Sequence, residues 1–90
     1  MSRAKRAGEA EWRVARAASG LGEALYAQGR AREAESYLVD GYRTVSSNQH
    51  ADVRTQEVVR DRVVRFYTER GQPDRLQALT NGTLRVAADP

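Results

Sequence analysis

The chain has no cysteine, one histidine, one methionine and two prolines in 90 residues. Without thiols there is no disulfide framework, no cysteine nucleophile and no thiolate metal site. The lone histidine, His50, has no carboxylate cluster around it, which removes the usual ligand sets for zinc and the usual general-base arrangements. Ser46 and Ser47 precede it, but no orienting acid and no glycine-rich elbow accompany them. His50 therefore reads as a solvated linker residue, and the chain as a non-enzyme with no cofactor and no metal. No apolar run approaches the roughly 20 residues of a membrane span. The basic start at Arg3, Lys5 and Arg6 has no apolar core after it, as a signal peptide would. The expected setting is cytoplasmic, without a membrane partner.

Charge of one sign is also scarce. Fifteen basic residues, almost all arginine, face twelve acids, for a formal charge of +3. A modest excess with interspersed acids speaks of solubility more than of a partner. About 40% apolar and 30% charged residues describe an ordinary globular composition, long enough for one small domain.

The organising stretch runs from Leu21 to Val45. Ala34, Tyr37, Leu38, Gly41, Tyr42 and Val45 recur at i, i+3, i+4, i+7, i+8 and i+11, one face of an amphipathic helix. Ala17, Ala18, Leu21, Gly22 and Leu25 mark the helix before it. Gly29 stands where that helix must stop. Closing a hairpin there brings Gly22 against Ala34, two small residues that let the backbones approach, with Leu21, Leu25 and Leu38 interdigitating around the crossing.

Leu21-Gly22, Leu25, Gly29, Ala34, Leu38 and Gly41 resemble the small and large positions of the tetratricopeptide repeat. Ala18 stands where that pattern often has an aromatic, and Ser46 where it has proline. Leu21, Leu25 and Gly29 recur 42 residues on as Val63, Tyr67 and Gly71. That period is similar to the long variety of the repeat, and His50-Ala51-Asp52-Val53 is similar to its linker. Glu11 to Gly71 also resembles the helical tails of some bacterial serine/threonine protein kinases, in Trp12-Arg13-Val14-Ala15, Gln28-Gly29-Arg30 and Glu33-Ala34-Glu35; no kinase signature accompanies it. In the second copy Gly22 and Ala34 become Val64 and Leu76, and Leu38 and Gly41 become Thr80 and Thr83. It reads as a degenerate terminal repeat whose hairpin closes less tightly.

The expected fold is all-α: two stacked antiparallel helical hairpins, an α-solenoid fragment of four helices with the last one short. Helix one is expected over 9–28, helix two over 31–46, helix three over 52–70, and a fourth helix from Pro73, which suits a first turn, to just past Leu79. Residues 1–8 read as a flexible basic N-terminus, 9–80 as the domain, and 81–90 as a tail whose part from Leu84 on shows no decisive pattern. Gly20 and Gly22 weaken helix one by about 1 kcal/mol each relative to alanine, which packing must offset. Trp12 reads as a residue packing over the hairpin or against a neighbouring subunit.

Helix three interleaves Arg54, Arg60, Arg62, Arg65 and Arg70 with Glu57, Asp61 and Glu69, a solvated mixed-charge face. The repeat resemblance implies a groove lined by the first helix of each hairpin. By position these residues are Arg16, Ser19, Glu23 and Tyr26 from one and Asp61, Arg65, Thr68 and Glu69 from the other. With Ser19, Glu23, Asp61 and Arg62 there, a clamp on a peptide's C-terminal carboxylate is not implied. The expected function is a protein-interaction scaffold binding a protein or peptide. Self-association is expected from Trp12, Tyr37, Tyr42 and the valines of helix three, unless the chain belongs to a longer repeat array. The alternative is a small Arg-rich nucleic-acid-binding regulator.

Overall fold

A computed structural model describes residues 2–86, with side chains from Glu11 onward, as four helices. They are α1 (Ser2–Ala27), α2 (Ala31–Ser46), α3 (Val53–Glu69) and α4 (Pro73–Asn81). No strand occurs among the described residues. α1 and α2 pack together most extensively, α3 lies mainly against α2 and narrowly against α1, and the short α4 touches α3 over a similarly narrow contact.

The two hairpin turns are copies of each other. Gly29 (φ 82°) and Gly71 (φ 66°) are left-handed, a conformation that costs a residue with a Cβ but not glycine. At the first turn the Gly29 amide donates to the Tyr26 carbonyl and Arg30 to Leu25. At the second, Gly71 donates to Thr68 and Gln72 to Tyr67. Both are Schellman caps, in the same register 42 residues apart.

The first hairpin closes on two glycines, one per helix. A Cβ on Gly22 would lie 2.9 Å from Leu38 Cγ and 3.0 Å from the Ala34 carbonyl oxygen. A Cβ on Gly41 would lie 2.8 Å from both the Ala15 carbonyl oxygen and Ser19 Cβ. The Gly22–Ala34 approach matches the expectation, and Gly41 against Ala15 and Ser19 is its counterpart on the other helix. Leu25 and Leu38 are buried at this crossing, whereas Leu21 is 46% exposed. One residue away from Gly22 turns a side chain by about 100° around the helix, which carries Leu21 away from α2.

Two apolar clusters form the core. Leu25, Ala34, Leu38, Val39, Val63, Phe66, Tyr67, Leu79 and Leu84 make the larger. Trp12, Ala15, Val45, Ala51 and Val59 make the smaller. Phe66 sits edge-on to Tyr26 at 4.9 Å and to Tyr67 at 5.1 Å between ring centres, a geometry aromatic quadrupoles favour. Val58 and Val64 are partly buried and Val53 is exposed, so α3 is covered mainly along Val59, Val63 and Phe66.

Two segments depart from the sequence reading. α1 begins at Ser2 rather than near Glu9; alanines, arginines and lysine are good helix formers there, and one Gly8 does not outweigh them. The expectation of a flexible basic N-terminus over residues 1–8 falls on Met1 and on side chains that lie outside the described residues. After α4 the chain folds back: Leu84 is buried in the larger cluster, and Arg43 donates from Nη2 to its carbonyl oxygen at 2.6 Å. Residues 87–90 of the expected tail lie outside the described residues.

Asp52 starts α3 by accepting from the Thr55 amide at 2.7 Å, a side-chain N-cap. The Thr55 hydroxyl and amide hold its carboxyl below the usual carboxylate range. A depressed folded pKa means the cap's contribution is complete above about pH 4 and is lost as pH falls through the lowered value. Asp52→Asn keeps the cap and is expected to flatten this acid limb, while Asp52→Ala lowers the melting temperature at neutral pH. Thermal melts from pH 7 to 2 check both; an unchanged acid limb in Asp52→Asn contradicts the cap's role.

Candidate functional site

α1 and α3 run side by side and are laced by a polar ladder. At one end Arg16 Nη1 donates to the Thr55 hydroxyl at 3.3 Å. Next, Arg62 Nη1 donates to Ser19 Oγ at 3.2 Å. Glu23 then bridges Arg62, at 3.3 Å, and Arg65. At the far end the Tyr26 hydroxyl donates to Glu69 Oε1 at 2.8 Å, and this bond raises the tyrosine pKa above its ordinary value. Burial first, and Arg16 second, push the Arg62 pKa down.

Six of the eight groove residues, Arg16, Ser19, Glu23, Tyr26, Arg65 and Glu69, are thus brought together, and they satisfy one another. Ser19 is fully buried beneath the Gly41 crossing, so it forms the floor between the helices and presents nothing to a partner. Asp61 and Thr68 are exposed beside the ladder. Glu23, Val58, Asp61, Arg62 and Arg65 line a shallow hollow of about 250 Å³. Arg62 is the member that positional transfer missed. The 42-residue register pairs Ser19 with Asp61, and only the structure shows that the neighbouring Arg62 is the one that reaches Ser19.

A second polar network ties α2 to α3 and α4. Tyr67, fully buried, donates to Glu35 Oε2 at 2.7 Å, and Arg75 Nη2 reaches the same oxygen at 2.6 Å. Burial, then the bond to Glu35, pushes the Tyr67 pKa well above the tyrosine range. Glu35 likewise holds the Arg75 guanidinium more firmly protonated. Nothing in this cluster resembles a nucleophile poised for attack; it is a structural tie.

The remaining feature is a bare face. Val14 (68% exposed), Ala17, Leu21 and Ala24 run along α1 on the side opposite Trp12, Ala15, Ser19 and Gly22, at the i, i+3, i+7, i+10 spacing of a coiled-coil seam. Moved on by the 42-residue register they become Gln56, Val59, Val63 and Phe66. In α3 the last three are buried in the clusters they share with Val45, Leu38 and Val39 of α2. The same helical face is covered in the second hairpin and uncovered in the first. By contrast, Trp12, Val59 and Val63 are spent inside the fold, Tyr42 is partly buried, and only Tyr37 of the aromatics expected at an interface is exposed. The Trp12 Nε1 is buried without an acceptor, and Arg13 stacks over its ring at 5.2 Å.

His50 is exposed in the turn before α3. Among the described residues no group of three or more His, Asp or Glu side chains is placed to hold a metal ion, and no helix is long and apolar enough to cross a membrane. No family model, curated protein sequence or solved structure matches the chain.

Proposed function

We propose that the chain is a protein-interaction module, a tetratricopeptide-like pair of helical hairpins that associates through the outward face of α1. The observation that carries this reading is the register equivalence of Val14, Ala17, Leu21 and Ala24 with the α3 face that packs on α2. A face of that pattern in a stacked architecture is built to receive another helix, and two hairpins alone fall short of the three or so repeats a stable stack needs. A second copy of α1 is the occupant that fits: the seam is narrow and small-sided, suited to close pairing of two like helices. The hollow beside the α1–α3 ladder, with the exposed Asp61 and Thr68, then remains as the surface offered to a protein or peptide partner.

Sedimentation over a concentration series tests this. The natural chain is expected to form a reversible species larger than the monomer. Leu21→Glu places a charge in the seam and is expected to weaken association by about tenfold or more, with helix content and melting temperature of the dilute monomer unchanged. A strictly monomeric natural chain at high concentration, or an equally associating Leu21→Glu, contradicts the proposal.

A further inference from the structure

At the end of the molecule where α2 and α4 begin, Arg32, Glu35, Arg70, Gln72, Arg75, Arg85 and Val86 line a half-open cavity of about 310 Å³. Four guanidinium groups meet there with one carboxylate. Glu35 is already taken by Arg75 at 2.6 Å and by the Tyr67 hydroxyl. That leaves three arginines without an acid. Arg70 contacts only the neutral Gln72 side chain, at 3.4 Å, and stacks over Phe66 at 5.3 Å. Arg32 and Arg85 are exposed and make no side-chain hydrogen bond or ion pair among the described residues.

Elsewhere Arg30 pairs with Glu33, and Arg62 and Arg65 share Glu23. Arg13, Arg16, Arg43, Arg54 and Arg60 also lack an acid among the described residues, but here three such groups share one hollow. Like charges gathered around one concavity raise its potential and concentrate counter-ions. Two of the four side chains are held in place, Arg75 by Glu35 and Arg70 by the Phe66 ring, so little ordering is left for a ligand to impose. The helices that abut the cavity, α2 and α4, both start without a side-chain cap, but Glu33 and Asp74 in their first turns offset the partial positive charge there, so the arginines carry the field.

We propose that this cavity is a binding site for a phosphoryl group. Planar guanidinium forks match phosphate oxygens in bidentate fashion. Three uncompensated cations suit a group bearing about two negative charges and three acceptor oxygens better than a single carboxylate. The volume is at the lower end of small-molecule pockets, enough for a phosphate or pyrophosphate whose attached group leaves through the open side. The site lies apart from the α1 seam and does not depend on it. A nucleic-acid strand, which needs cations along a track as well as in one hollow, is the alternative outcome of the test.

The test measures thermal melts of the full chain at constant ionic strength with sodium chloride, inorganic phosphate or pyrophosphate, beside Arg32→Gln/Arg85→Gln. Neither arginine supports the fold, so this double variant is expected to melt like the natural chain in chloride. Pyrophosphate is expected to raise the natural melting temperature by several degrees, phosphate by less, and the double variant is expected to lose most of that rise. A phosphoserine peptide against its unphosphorylated form, read by titration calorimetry, shows whether the group is better taken from a side chain or as a free anion; either preference supports the site. No rise, or an equal rise in the double variant, overturns it. So does tighter binding of a single-stranded oligonucleotide with a steep salt slope that the two substitutions leave unchanged.

Discussion

Gly41→Ala is expected to destabilise the fold by about 2 kcal/mol, against the roughly 1 kcal/mol that alanine ordinarily adds in a helix. The new methyl would stand 2.8 Å from the Ala15 carbonyl oxygen and 2.8 Å from Ser19 Cβ. The first is backbone and the second is locked between helices, so α1 and α2 must separate. Separation loosens Leu25 and Leu38 along the whole crossing. Gly22→Ala should have the same sign and a comparable size, because its methyl would stand 2.9 Å from Cγ of the buried Leu38 and 3.0 Å from the Ala34 carbonyl oxygen. Gly20→Ala should have the opposite sign. There a methyl meets only the end of the Arg62 side chain at 3.7 Å, an ordinary contact, and a gain of about 1 kcal/mol is expected. Urea unfolding of the three variants checks the set. Three gains, as propensity alone predicts, would mean that the helices do not cross this closely. For a chain of this length, total stability of about 5–13 kcal/mol makes these differences easy to resolve.

Tyr67→Ala should cost about 4 kcal/mol, because a large side chain with no exposed surface leaves a cavity where α2, α3 and α4 meet. Tyr67→Phe should cost about 1–2 kcal/mol. It keeps the ring and removes only the donor to Glu35, whose carboxylate retains Arg75. The two variants separate packing from hydrogen bonding at one position. The raised Tyr67 pKa has its own consequence. A folded pKa above the unfolded one means the contribution is complete below about pH 10 and is lost as pH rises beyond it. The natural chain should therefore lose stability on the alkaline side more steeply than Tyr67→Phe. Unfolding midpoints between pH 7 and 11 measure this, and parallel curves for the two proteins would contradict it.

The first hairpin was legible in the sequence because small residues are informative where large ones are not. Gly22, Ala34 and Gly29 each admit few roles in a helix, and all three fell where expected. Leu21 was not legible: leucine at the edge of an apolar stripe is compatible with either side, and only the register set by Gly22 and Gly41 turns it outward. The tail was illegible for a related reason. Leu84 and Val86 are too few apolar positions to set a periodicity, and both reach the core through tertiary packing, with Arg43 holding the Leu84 carbonyl from 41 residues away. Transfer by position from the repeat resemblance named α1 and α3 residues that lie beside one another, but it could not say that these residues would satisfy one another rather than face a ligand.

The outward face of α1 can be watched directly by recording amide and methyl chemical shifts of the labelled chain as it is diluted. Pairing through that face predicts that the concentration-dependent changes gather at Val14, Ala17, Leu21 and Ala24, while Val59, Val63 and Phe66 stay still. Spectra that do not change on dilution, or changes centred on α3 and α4, would contradict it.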